Sequence, residues 1–173
     1  NLFAGTSKNG LAKMQDNDWV LYHTGNSGLP SNLITDLLFD TDDNLWISTQ
    51  GSGIIKYDGK NWTVFNTKTD KNLKDDYVYS LAIDQKGNIW GGTYSTLVRY
   101  DGKTWQVLNV NVGFYCFDLV IDGNQTAWAA TPGGLHAFDW PNMTIYNPGN
   151  SNLPSATVDA VTMGPDNLVW AGT

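Results

Sequence analysis

Leu45-Trp46-Ile47-Ser48-Thr49 and Ile89-Trp90-Gly91-Gly92-Thr93 are two copies of one short box, and recognising them as copies decides the fold. Working outward, Phe3-Ala4-Gly5-Thr6, Trp128-Ala129-Ala130-Thr131 and Trp170-Ala171-Gly172-Thr173 are further copies. The closing threonines Thr6, Thr49, Thr93, Thr131 and Thr173 are separated by 43, 44, 38 and 42 residues. A period of this length without helical spacing between the boxes matches one propeller blade per repeat.

Each period carries the same four apolar segments bounded by turn residues. An alternating stretch precedes the box: Ile34 to Phe39, Val78 to Ile83, Cys116 to Ile121 and Val158 to Met163. A turn such as Asp84-Gln85-Lys86-Gly87-Asn88 joins it to the box, so the two read as a hairpin. A third segment ends at Tyr57-Asp58-Gly59, Tyr100-Asp101-Gly102 or Phe138-Asp139-Trp140, and a fourth follows at Trp19, Trp62, Trp105 or Met143. A single blade cannot cover both of its faces, so its neighbours must. The expectation is an all-β protein: a β-propeller of four-stranded antiparallel blades, about four of them present, in one region spanning residues 1–173. Both ends fall in the second strand of a blade, giving three strands, three whole blades and two strands. That is one strand too many for a closed four-bladed ring, so the reading is a fragment of a larger ring of seven or eight blades.

Composition agrees with this. All 17 acidic residues are Asp, no Glu occurs, and Asn and Gly number 18 each, a set that favours turns over helices. A net charge of −7 with ten basic residues disfavours nucleic acid, whose recognition rests on clustered Lys and Arg. No apolar run approaches the roughly 20 residues of a membrane span, so no membrane insertion of this segment is expected. Cys116 stands alone, which excludes an internal disulfide framework.

The succession Leu29-Pro30-Ser31-Asn32, an apolar strand, Asp40 to Asn44, the Leu45 to Thr49 box, Gly53-Ile54 and Tyr57-Asp58 resembles the two-component regulator propeller repeat. Leu153-Pro154-Ser155 repeats its opening. The resemblance implies a large, usually seven-bladed propeller in the extracytoplasmic sensor regions of bacterial signalling proteins and related secreted proteins. It implies a periplasmic or secreted location, and a role in binding or sensing a carbohydrate or similar small molecule. The Asn88-Ile89-Trp90 box also resembles the repeats of streptogramin lyase, a propeller enzyme, so a lyase is the first alternative. A structural or protein-docking scaffold is the second.

The chemistry-bearing residues point away from catalysis. Asp40-Thr41-Asp42-Asp43-Asn44 opens like a calcium loop, but Leu45 stands where the turn glycine should be and Gly51 where the closing carboxylate should be. Asp side chains accepting backbone N–H groups in a tight turn account for it without metal. Asp84, Gly87 and Trp90 are spaced like the Asp box of sialidase propellers, one residue longer; Arg99 is the sole arginine, too few for a sialidase. His23 and His136 read as a surface and a packed side chain, and Cys116 as a small core residue. Seven of the eight tryptophans keep two fixed repeat phases and read as inter-blade core. No catalytic residue, metal site or cofactor is expected.

Ligands of propellers meet the face formed by the loops between strands two and three and between consecutive blades. Positions that break the repeat there are the candidate contacts: Gln50, Lys71, Asp75, Asp76, Tyr77, Tyr94 and Tyr115. Trp140 replaces a turn glycine between strands three and four and is a further candidate. Tyrosine rings with nearby Asp suit a glycan or small molecule by stacking and hydroxyl hydrogen bonding, and another protein could use the same face.

Overall fold

The computed structural model describes residues 2–108, 115–139 and 141–173. Trp140, one of the candidate contacts, lies outside the described residues. All regular structure described is strand. The first sheet comprises β1 (Phe3–Gly5), β2 (Leu11–Gln15) and β3 (Asp18–Tyr22). Blade two comprises β4 (Ile34–Phe39), β5 (Leu45–Thr49), β6 (Ile54–Tyr57) and β7 (Trp62–Phe65). Blade three comprises β8 (Val78–Ile83), β9 (Ile89–Thr93), β10 (Leu97–Tyr100) and β11 (Trp105–Leu108). Blade four comprises β12 (Asp118–Ile121), β13 (Ala127–Thr131), β14 (Gly134–Asp139) and β15 (Asn142–Tyr146). A final pair is β16 (Ala160–Met163) and β17 (Val169–Gly172). Within each sheet, strands pair antiparallel in chain order, the meander that the repeat predicts. β12 and β16 start two residues later than their sequence phases, because Cys116 and Val158 give their N–H groups to Thr93 and Thr131 of the preceding blade.

The box threonine closes the loop after each second strand. Thr6, Thr49, Thr93 and Thr131 donate their hydroxyls at 2.8–2.9 Å to the carbonyls of Gly10, Gly53, Thr96 and Gly134. Gly53 holds φ +80°, and a Cβ there would run into the Phe65 carbonyl, so the loop requires glycine at that point.

At the opposite end of the blades, the turn before each box is locked by one aspartate. Asp40 accepts the backbone N–H of Asp42 and Asn44 and the indole N–H of Trp46 at 2.8 Å. Asp84 does the same for Lys86, Asn88 and Trp90, and Asp122 for Asn124, Thr126 and Trp128. These oxygens are engaged by N–H donors, as the turn reading of the Asp40 segment anticipates. The fourth copy has Gly164 in the aspartate's place.

The tryptophans of the two phases face opposite ways. Trp46 of β5 packs forward onto blade three, against Trp105 at 6.3 Å and Tyr100 at 5.6 Å, while stacking on Phe65 of its own blade at 5.7 Å. Trp62 of β7 leans back on Tyr22 of the first sheet at 5.8 Å. Leu29 and Leu73, from the connections before β4 and β8, are buried as wedges in these two seams. The expectation that every phased tryptophan is core fails at two places: Trp19 is 44% exposed and Trp170 61%. Trp19 faces back from the first sheet and Trp170 forward from the last pair, directions in which this chain supplies no further blade.

Innermost strands meet in pairs. Asp36 of β4 accepts the Leu37 N–H of its own strand and, at 2.8 Å, the Leu81 N–H of β8. Asp118 of β12 likewise accepts Leu119 N–H and, at 2.9 Å, Val161 N–H of β16. Between β8 and β12 the corresponding residue is Ser80, whose hydroxyl reaches only the Cys116 carbonyl at 3.4 Å and its sulfur at 3.6 Å. Burial raises the pKa of Asp36, more strongly than its backbone hydrogen bonds lower it.

Candidate functional site

The loop face brings four of the sequence-chosen residues together. Gln50 and Tyr77 form an isolated antiparallel bridge that joins blade two to blade three. Tyr94 donates its N–H to the Tyr77 carbonyl at 3.1 Å, and the Tyr94 ring meets Tyr115 edge-on at 4.8 Å. Tyr115 also meets Tyr79 edge-on at 5.2 Å and lies parallel to Phe117 at 6.1 Å. Tyr77, Tyr94, Tyr115 and Phe117 are each more than a third exposed, which is unusual for rings clustered so closely.

The order of this surface comes from the backbone. The N–H groups of Gly51 and Gly53 both donate to the Asp76 carbonyl, at 3.0 and 2.9 Å, and that pins the β7–β8 connection over the β5–β6 loop. Asp76 spends its carboxylate on Thr67, accepting from the backbone N–H at 2.7 Å and the hydroxyl at 2.9 Å. Asp75 accepts the Tyr77 N–H at 2.9 Å. Both aspartates therefore shape the connection that presents Tyr77. Lys71 is exposed, and its carbonyl takes a hydrogen bond from Lys74 Nζ at 2.9 Å.

Sequence reasoning missed Tyr79 and Phe117, which share the second position of the innermost strand with Thr35 and Asp159. That position alternates with core positions and was counted as strand interior; the signal was the aromatic pair at a phase that is otherwise polar. Burial raises the Tyr79 phenol pKa, and Tyr115 and Asp75 add to the shift, so the hydroxyl remains a neutral donor.

Nucleophile and base chemistry is missing from this face among the described residues. The Cys116 thiol is wholly buried and pushed up to about 12 by that burial, so it is not a thiolate near neutrality. His136 lies buried in β14, where desolvation lowers its pKa and keeps the ring neutral. His23 follows β3, three blades away in chain order. The surface can therefore stack on a flat or ring-shaped partner and exchange hydroxyl hydrogen bonds with it, and it is not arranged to transfer protons or form covalent intermediates.

Residues 28–51 and 72–95 match the two component regulator propeller family. No curated protein matches the sequence. Among solved structures, the extracellular domain of a hybrid two component system from B. thetaiotaomicron superposes with TM-score 0.83 at 22% identity, covering 98% of this chain and 25% of that one. The extracellular domain of a one component system from the same organism gives 0.82 at 19%, covering 99% and 24%. Virginiamycin B lyase from Staphylococcus aureus gives 0.74 at 15%, covering 94% and 56%. The chain thus spans about a quarter of the length of the sensor domains it resembles. At these identities the likeness is one of fold: a β-propeller of four-stranded blades.

Proposed function

Since this chain carries two component regulator propeller repeats, we propose that it is a non-catalytic, ligand-binding part of an extracytoplasmic bacterial sensor, recognising a carbohydrate or similar small molecule. The observation that carries the reading is the exposed ring cluster of Tyr77, Tyr94, Tyr115 and Phe117, held in place by loop-to-loop backbone hydrogen bonds. Rigid, half-exposed tyrosines offer contact area and hydroxyls at little entropic cost, the usual requirement for gripping a ring-shaped polar ligand. The likeness to sensor extracellular domains supports the extracytoplasmic location. No helix among the described residues is long and apolar enough to cross a membrane.

The test is a glycan array probed with the 173-residue chain and with its Tyr94→Ala and Tyr115→Ala variants, followed by calorimetry on any hit. Each truncation is expected to weaken a hit by about tenfold while the protein stays folded. An array without hits, or hits indifferent to both changes, would remove the loop face as the binding site. The fold shared with virginiamycin B lyase favours a second reading, in which a histidine serves as base. Replacing His23 and His136 together separates the two: binding is expected to survive, and an activity abolished in folded protein would favour the lyase.

A further inference from the structure

The largest cavity lies away from the tyrosine face, along β11 between blades three and four, with a volume of about 870 Å³. None of the loop-face tyrosines lines it, so it is independent of the function proposed above. Its size suits a small organic ligand. The seam is also packed differently from the others. Its core consists of Trp90, Leu108, Cys116, Leu119, Ala127, Ala129 and Phe138, and among the described residues no leucine wedge comes from the connection before β12.

Four buried side-chain atoms have no hydrogen-bond partner among the described residues, and three of them belong to residues lining this cavity: Arg99 Nε, Trp105 Nε1 and Gln125 Nε2. All three are N–H donors. A buried donor without an acceptor is costly, and their concentration around one open volume is the pattern of a site that lacks its acceptor. Arg99 is the only arginine, and its guanidinium sits over the Trp90 ring at 5.7 Å and donates from Nη2 to Gln106 at 3.0 Å. The single ion pair among the described residues is Lys56 with Asp40, so no carboxylate satisfies Arg99 at contact distance. Lys74 and Lys86 line the same volume. Asp84, which also lines it, already has its oxygens engaged by backbone amides and the Trp90 indole.

We propose that this cleft binds a ring-sized organic anion, its carboxylate accepting from Arg99, Gln125 and Trp105 and its body lying against Trp90 and Phe138. Donors without acceptors, a fixed positive charge and aromatic walls each specify one part of that ligand. A sugar acid and an aromatic acid share this chemistry, and the experiment distinguishes them.

The 173-residue chain is titrated with glucuronate, benzoate, sodium sulfate and, as the neutral ring, glucose. Binding is read by calorimetry and by tryptophan fluorescence, since Trp90 and Trp105 line the cleft. Glucuronate or benzoate is expected to bind, whichever is tighter identifying the ring, with sulfate weaker and glucose silent. Arg99→Gln is expected to cost about tenfold or more in affinity. Arg99→Lys keeps the charge without the Nε donor and should fall between, as should Gln125→Leu. Should Arg99→Gln fail to fold, Arg99→Lys decides. The proposal is overturned if neither ring anion binds, if glucose binds as tightly as glucuronate, if sulfate matches the ring anions, or if the folded Arg99 variants bind like the unchanged protein.

Discussion

Two seams built from the same repeat have opposite characters. Between blades two and three, Trp46, Phe65, Tyr100 and Trp105 interlock with ring centroids 5.0–6.3 Å apart, and Leu73 seals the outer side. Between blades three and four the fillers are small, Ala127, Ala129 and Cys116 among them, and an open cleft runs beside them. Gly92 fits there only because it has no side chain: a Cβ would collide with Cys116 and Ser80. The repeat therefore prescribes where blades go and leaves each seam free to be closed or hollow.

The comparison can be broken most forcefully at Trp46. Trp46→Ala should cost about 3–5 kcal/mol, measured by urea unfolding, because four rings lose their common partner. Trp90→Ala, in the hollow seam, should sit at the low end of that range, about 3 kcal/mol, since part of its surroundings is already open. Equal costs would mean that the two seams are equally packed. Removing the wedge by Leu73→Ala should cost about 2–4 kcal/mol and leave the cleft of the next seam unaffected.

A smaller effect is expected at the turn locks. Asp84→Asn leaves one oxygen for three N–H donors and should cost about 1–3 kcal/mol. Burial raises the pKa of Asp84, but hydrogen bonds from Asn88 and Trp90 outweigh it and hold the pKa below the usual carboxylate value; Asp40 behaves alike. A lowered folded-state pKa stabilises above the unfolded value of about 4, and that contribution is lost as pH falls through the folded value. Asp36 has the opposite sign: its raised pKa favours the folded state at low pH and that advantage is lost as pH rises through the folded value. Melting temperature should thus fall below about pH 4, less steeply in Asp84→Asn. The smallest effect is at the loop face, where Tyr94→Ala should change stability by no more than about 0.5 kcal/mol.

The blades were legible because box, turn and threonine recur in fixed phase, and each phase corresponds to one hydrogen-bonding task. Exposure was less legible: Trp19 and Trp170 have the same phases as Trp105 and Trp90, yet burial in a propeller is supplied by the next blade and not by the residue. Tyr77, Tyr94 and Tyr115 stood out because they break the repeat. Tyr79 and Phe117 did not, since an aromatic in a strand passes for core. The unpaired donors of Arg99, Trp105 and Gln125 are invisible in sequence, because lacking a partner is a property of three-dimensional surroundings.

The aspartate bridges of the innermost strands have a mechanical consequence. Asp36 fastens blade two to blade three and Asp118 fastens blade four to the final pair, while the intervening contact is a serine at the outer limit of hydrogen-bonding distance. The repeat unit of the sequence is one blade, but the unit of cohesion along the inner wall is two. Under load the protein would part between β8 and β12, along the seam that also contains the cleft, so that an occupant there would act as a rivet at the weakest joint.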